Sequence, residues 1–558
     1  MLNTIMLYIN SIKKINKILL IIVFLINLIF LFLIFYKSFY LNNGITGYIK
    51  SNLIALNLSY IFYLFYEKII FLFKNKQLLI NNLINKYLIY LLLILFFLFI
   101  NYITFTKYIN FGTNGFDLGI FSQVIRKLSI FETPSSSIRM INNILGDHFQ
   151  PILYLYAIFY KLIPSPLILL FLQNLFFVIG GYGIYKISIL KLEKPLIGII
   201  FTFFYLFFIG NINAILFDFH PDVLAISLFP WLFYFSFKNK TIYFYLLVFF
   251  ILLSKENLSI YISFFGIYQL ITKKNKLYGS LTFFIGLIYF YLVMNYFIPF
   301  MGGNNLSYWS YNQIGANPME LIINSFKNPL NVLKVLFINN QKIIAYFHYI
   351  SSGGIFIFSS ASILLIPSFA FKFLSTREEF WGFNFHYAID TYSVILISII
   401  CFFSYLKDKT VKNYKYIFII LIFIFINFCL TNIYQANIFK NLYIKNRINI
   451  KEAIKLIGDK SSISAQNTIV SHLTNRQEIY IYPIINNSDY IILNKNALQN
   501  QFWPLENKQD YEKILNKLIN KEQGKYFLDK PIFRNKIILT NKYNLIYNKN
   551  GVLLFRKI

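Results

Sequence analysis

The feature that most constrains this chain is a repeated one: apolar runs of about 15 to 23 residues, separated by short segments rich in lysine. Wound as a helix, such a run crosses a hydrocarbon core of about 30 Å. In lipid only a helix or a closed barrel satisfies its own backbone, so the sequence predicts a polytopic α-helical membrane protein. Composition agrees. Charged residues are 13% of the chain, against roughly 25% in a soluble domain. The 65 Phe and 44 Tyr exceed what one soluble core takes up and suit lipid-facing and interfacial surfaces. A net charge of +30 accompanies an excess of Ile, Asn, Lys and Tyr. That bias fits AT-rich coding, and nucleic-acid binding is not expected. Cys401 and Cys429 both fall in apolar runs, which argues against a disulfide framework. The first run, Ile18–Tyr36, lacks a small-residue cleavage site and is expected to stay as an anchor.

The expected spans are 18–36, 51–73, 87–105, 166–187, 194–210, 222–237, 241–255, 257–271, 279–299, 342–358, 359–373, 386–406 and 415–431, about thirteen in all. The apolar segment 151–163 is bracketed by Pro151, Pro164 and Pro166 and reaches only about 20 Å as helix. It is expected to be re-entrant or interfacial. With this layout Lys13, Lys14 and Lys17, Lys74, Lys76 and Lys86, Lys191 and Lys194, Lys238 and Lys240, Lys273, Lys274 and Lys276, and Lys407, Lys409 and Lys412 share one side. The positive-inside rule makes it cytoplasmic, with the N-terminus inside a cell membrane. The external side then receives loop 106–165, loops 211–221, 300–341 and 374–385, and everything after about 432. Three parts follow: two leading helices in 1–86, a transmembrane core in 87–431, and a tail in 432–558. The tail alternates amphipathic helix patterns (449–458 and 508–522) with short β-like runs (479–482, 490–493, 536–539, 552–555), as in a small extracytoplasmic α/β domain.

Acids, histidines and cations at membrane edges are costly, and each is a site candidate. They cluster in FDLGIF with Asp117, GDHFQP with Asp147 and His148, FDFHPD with Asp218, His220 and Asp222, SKEN with Lys255 and Glu256, TREE with Arg377, and FNFHY with His386. All lie at external span ends in this layout. Gly112, Gly115 and Gly119 around Asp117 suggest a backbone shaped around a ligand. In the tail, His472 and Arg476 are four apart and would share a helix face, either on the surface or reaching back to the membrane site. Three chemistries compete. Asp117 or Asp147 is a general base that deprotonates an acceptor hydroxyl while a sugar leaves a lipid phosphate held by Arg377 or Lys255. Alternatively Asp147, His148, His220 and Asp222 bind a divalent metal, with no diagnostic spacing. Or these groups line a transporter or flippase path, although no inverted repeat is visible. A non-catalytic role in envelope assembly is a further alternative. Walker, H-E-x-x-H and G-x-S-x-G motifs are absent from the sequence.

The motifs FDLGIFSQVI (116–125), GDHFQP (146–151), FHPD (219–222), SKEN (254–257), FNFHY (383–387) and ISAQNTIVSHLTNRQEIYIYP (463–483), followed by DYIIL (489–493), resemble in this order the membrane-protein family called domain of unknown function 2079. The resemblance covers about residues 87 to 558, with the first two spans as an addition. Ser122 and Asn257 stand where that family often has an acid. The family is in turn similar to GT-C membrane glycosyltransferases. That similarity implies a polyprenyl- or dolichyl-phosphate-linked sugar as donor, an extracytoplasmic acceptor, and an essential acid in the first external loop. It makes Asp117 the first choice of catalytic base and Asp147 the second, with His148, His220, Asp222, Lys255, Glu256, Arg377 and His386 around the substrate.

Overall fold

The computed structural model describes residues 82–409 apart from 273–275, 305–307, 352–353 and 384, then isolated residues between 420 and 442, residues 446–496, and parts of 515–558. The expected spans 18–36 and 51–73 lie outside the described residues, as do most of 415–431 and of the helix expected at 508–522.

Among the described residues, four helices are long and apolar enough to cross a membrane: α1 (Asn82–Ile109), α4 (Pro166–Leu192), α10 (Lys276–Phe300) and α15 (Ile389–Lys409). A fifth span forms if α5 (Pro195–Phe207) and α6 (Ile209–Phe217), bent by 46°, count as one. The bend falls at Phe208, whose backbone is extended, and Asn211 Nδ2 donates to the freed carbonyl of Tyr205 at 2.8 Å. Several expected spans are short helices instead: α7 (Asp222–Phe237), α8 (Thr241–Leu252), α9 (Leu258–Thr272) and α14 (Leu365–Phe373). The stretch 342–358 divides into α13 (Asn340–Ser351) and a 3-10 segment Gly354–Phe358, around a Ser-Ser-Gly-Gly sequence of poor helix formers. The loop after α1 holds α2 (Ile120–Ser129), and the segment 151–163 is the ten-residue α3 (Leu153–Leu162), short as expected. Loop 300–341 folds into two short helices, α11 (Pro318–Lys327) and α12 (Pro329–Phe337). The alternating run of these helices gathers residues 110–165, 218–221, 253–257, 308–311 and 374–383 at one end of the bundle. The lysine turns 193–194 and 238–240 fall at the other.

Among its described residues the tail carries α16 (Arg447–Lys455) and seven strands: β1 (Ile463–Ala465), β2 (Ile479–Ile481), β3 (Tyr490–Asn494), β4 (Gly524–Phe527), β5 (Lys536–Leu539), β6 (Tyr543–Lys549) and β7 (Val552–Lys557). Five of them form a mixed sheet in the order β2-β1-β3-β7-β6, parallel across β2-β1-β3 and antiparallel beyond. The β6–β7 turn uses Asn550 and Gly551, both with positive φ. Ile450 is buried under the sheet, as its helical spacing predicts. One sheet face does not close on the tail alone. Ile450, Ile463, Val470, Ile492 and Leu554 share a core with Phe111, Leu118, Val124 and Tyr156 of the membrane part.

Candidate functional site

The loop after α1 carries Asp117 and is clamped from two sides. Lys107, in the last turn of α1, donates to Asp218 Oδ1 at 3.1 Å and to the Leu216 carbonyl at 2.5 Å. Asp218 Oδ2 accepts from the backbone N and side-chain Nδ2 of Asn114 at 2.8 and 3.1 Å. From the tail, Asn467 Oδ1 accepts from Gly115 N at 2.9 Å and Phe116 N at 3.1 Å. A Cβ on Gly115 would lie 2.6 Å from Val470. That glycine therefore admits the tail, rather than shaping a ligand surface as the sequence suggested. Between the clamps Asp117 takes φ 136, ψ −81, a conformation that L residues rarely adopt. Such strain persists only where the surroundings enforce it, and it concentrates at functional sites.

Asp117 Oδ1 stands 3.5 Å from His220 Nε2, close enough for attraction and too long for a good hydrogen bond. His220 is fixed through its backbone N–H, which Gln173 Oε1 accepts at 2.7 Å. Its ring stacks on His386 at 3.6 Å between centroids, and His386 packs on Tyr387 at 4.0 Å. Lys255 lies 5.9 Å from the Tyr387 ring and donates to Asp222 Oδ2 at 3.2 Å. Next in the chain, Glu256 holds His148 Nδ1 at 2.8 Å and accepts from Phe149 N at 3.1 Å. The His148 ring stacks on Tyr308 at 4.6 Å. Tyr308 Oη donates to Asp147 Oδ1 at 2.7 Å, and Arg139 bonds both oxygens of Asp147 at 3.2 Å. Arg139 also sits 5.8 Å from the ring of Phe116, the residue before Asp117. Residues from five separate motifs thus form one closed circuit of contacts at one end of the bundle.

The circuit sorts the acids by commitment. Asp147 is held by Arg139 and Tyr308, Asp222 by Lys255, Asp218 by Lys107, and Glu256 by His148. Burial alone would raise the Asp147 carboxyl. The charges of His148 and Arg139, with hydrogen bonds from Tyr308 and Arg139, outweigh it and hold the group below its usual range. Among the described residues, the Asp117 carboxylate makes only the long contact to His220. Among the cations, Arg377 lies over the rings of Tyr308 and Phe380, at 5.8 and 5.7 Å, with no carboxylate in an ion pair among the described residues. Buried polar atoms without a partner also converge here: His220 Nδ1, His386 Nδ1, Asp222 Oδ1 and Asn257 Oδ1. Native proteins rarely leave such atoms unsatisfied, so water or a polar ligand would engage them.

The four residues considered as metal ligands do not fit one ion. Among the described residues no three His, Cys, Asp or Glu side chains are grouped to hold a metal. Asp147 and His148 are turned to Arg139 and Glu256, away from His220 and Asp222. The tail pair also differs from its helical reading, because the helix there is one turn long and stops at Val470. His472 packs between Tyr108 and Phe111, with ring centroids 4.2 and 4.1 Å away. Burial pushes it down to about 3. Arg476 instead bonds the carbonyls of Gly458 and Ser461 within the tail. His348 lies apart from the circuit, against Phe208 and Phe383.

Sequence reasoning missed Lys107, Arg139, Gln173, Tyr308, Tyr387 and Asn467, whose roles exist only through distant partners. It also missed a buried group deeper in the bundle. Asp390, one helical turn after His386, bonds Lys372 of α14 and Tyr261 of α9, and Lys372 reaches Ser368 Oγ at 3.0 Å. An acid and a lysine inside apolar runs were the available signal. This group joins the three helices that lead to Glu256, Arg377 and His386.

No curated protein matches the chain. The family described as "Predicted membrane protein (DUF2079)" matches residues 107–530, a stretch that includes the Asp117 loop, every motif of the circuit and most of the tail. The chain belongs to this family of membrane proteins.

Proposed function

We propose that the protein is a GT-C-like glycosyltransferase that moves a sugar from a polyprenyl- or dolichyl-phosphate donor to an extracytoplasmic acceptor, in a core of about thirteen crossings with the circuit on the external side. The observation that carries this reading is the pairing of one uncommitted carboxylate, Asp117, with one uncompensated cation, Arg377, in the same circuit. The acceptor hydroxyl gives its proton to Asp117 as its oxygen bonds the anomeric carbon. The bond from that carbon to the phosphate oxygen breaks, and the lipid phosphate leaves with both electrons toward Arg377. His220 steadies the Asp117 carboxylate, and its own stacking on His386 fixes its angle. Depth supports a lipid donor. The 12 residues of α8 rise only about 18 Å, so the Lys255–Glu256 turn is recessed relative to a full crossing.

The test is transfer by purified protein in liposomes with a polyprenyl-phosphate sugar. Asp117→Asn keeps the shape and removes the base, so turnover should fall about 10²-fold or more with donor binding retained. Normal turnover by this variant would remove Asp117 from the mechanism. Absence of transfer by the wild type, together with solute flux, would favour a transporter instead.

A further inference from the structure

Helices α11 and α12 are built by the same local signal, an asparagine cap followed by proline: Asn317-Pro318 and Asn328-Pro329. Each cap side chain accepts a backbone N–H of its own first turn, from Glu320 and Asn331. The amphipathicity of α11 is inverted, and α12 is apolar on both sides. In α11 the inward side carries Asn324, whose Nδ2 donates to the Ile314 carbonyl at 2.7 Å, and Ser325. The outward side carries Met319, Ile322, Ile323 and Phe326, at i, i+3, i+4 and i+7, and all four are exposed. In α12 Leu330, Leu333 and Phe337 repeat the stripe, while Val335 is buried. Phe326 is 84% exposed and Leu330 75%. Water would drive such stripes inward; a surrounding of acyl chains would not.

We propose that α11 and α12 form a monotopic element lying flat in the headgroup region at the site's end of the bilayer, with the apolar stripe dipped among the acyl chains. Their lengths exclude a crossing, since 10 and 9 residues rise only about 15 and 14 Å. The occupant is lipid because α10, long and apolar enough to cross a membrane, exposes Tyr291, Tyr296 and Phe300 toward its end and leads directly into this loop. The pair is bolted to the site. Thr376 N donates to the Ser310 carbonyl at 3.0 Å, Ser310 and Ser375 hydroxyls meet at 2.7 Å, and Tyr308 lies against Arg377. The element thereby sets the level of the lipid headgroups relative to Arg377. This setting of the headgroup level rests on the transferase reading, whereas burial of the stripe in lipid does not.

The experiment uses full-length protein in phosphatidylcholine liposomes, with Cys401 and Cys429 replaced by serine and a fluorophore attached through Phe326→Cys, Leu330→Cys or, as a water-facing control, Gln313→Cys. Doxyl-labelled lipid should quench the first two sites at least about twofold, with iodide quenching them several-fold less than the control. Iodide quenching equal to the control, without a lipid effect, would overturn the proposal. So would shielding that disappears on dilution of protein in lipid, because the stripe would then cover a second copy. Either result is independent of turnover, so it leaves the transferase test standing on its own.

Discussion

Asp117 and Asp147 are carboxylates of the same first loop with opposite energetic roles. Asp147 is a paired charge with three donors, and removing one member of such a pair costs about 3–5 kcal/mol. Asp117 is strained and nearly unpaired. Asp117→Gly should therefore stabilise the protein by about 1 kcal/mol, because glycine accepts positive φ, while transfer is lost. Asp147→Asn should lower the melting temperature instead. Thermal unfolding in detergent measures both, and the reverse order would contradict this assignment of roles. His472 supplies a pH dependence. Its folded value is lowered from 6.5 to about 3, because burial between Tyr108 and Phe111 disfavours the cation. Below the unfolded value the unfolded chain binds a proton that the folded chain refuses. Its contribution is complete above pH 6.5 and falls away progressively toward about 3. His472→Phe should flatten this part of the stability profile between about pH 6 and 4, and an unchanged slope would exclude His472 as its source.

At the element scale, the tail holds the backbone of the Asp117 loop through the amide of Asn467, beside Val470 packing and a Thr113–Ser471 hydrogen bond at 2.9 Å. Asn467→Ala leaves the N–H groups of Gly115 and Phe116 without their acceptor, at a cost of about 1–3 kcal/mol each if no water reaches them. Hydrogen exchange across residues 114–119 should then accelerate about tenfold or more, while exchange in α4 stays unchanged. Equal protection in the variant and the wild type would show that Val470 packing and the Thr113–Ser471 hydrogen bond secure the loop without Asn467. The helices show a similar division of labour. α4 and α10 are long because no proline breaks their apolar runs between the first and last turns. α8 and α9 are short because Ser254 and Glu256 end one helix and begin the next, with Ser254 Oγ donating back to the Phe250 carbonyl at 2.8 Å.

At the scale of the molecule, the acidic circuit and the lysine turns occupy opposite ends of the bundle, and the tail covers the acidic end. If that end faces outward, the N-terminal side of α1 faces the cytoplasm. Membrane-impermeant thiol labelling of Lys240→Cys and Asn550→Cys, in a background without Cys401 and Cys429, should mark only the second in intact cells. Labelling of both, or of Lys240→Cys alone, would invalidate the orientation. The shared core also makes the tail part of the membrane protein's own packing, since Val470 and Ile463 are buried with Phe111 and Leu118.

The sequence by itself determined the class of the molecule, because burial in lipid imposes a length and an apolarity that any window of residues displays. It also determined which residues are chemically worth attention, since an acid or histidine beside an apolar run stands out without reference to anything distant. Strand runs such as 536–539 and the buried Ile450 were legible for the same reason, as periodicity is local. Only the tertiary structure decided what each charged group does. A carboxylate's chemistry depends on its nearest partners, and here those lie far away along the chain: His220 for Asp117, Tyr308 for Asp147, and His148 for Glu256. It likewise decided that His472 and Arg476 part company, because a one-turn helix ends before their spacing can place them on one face.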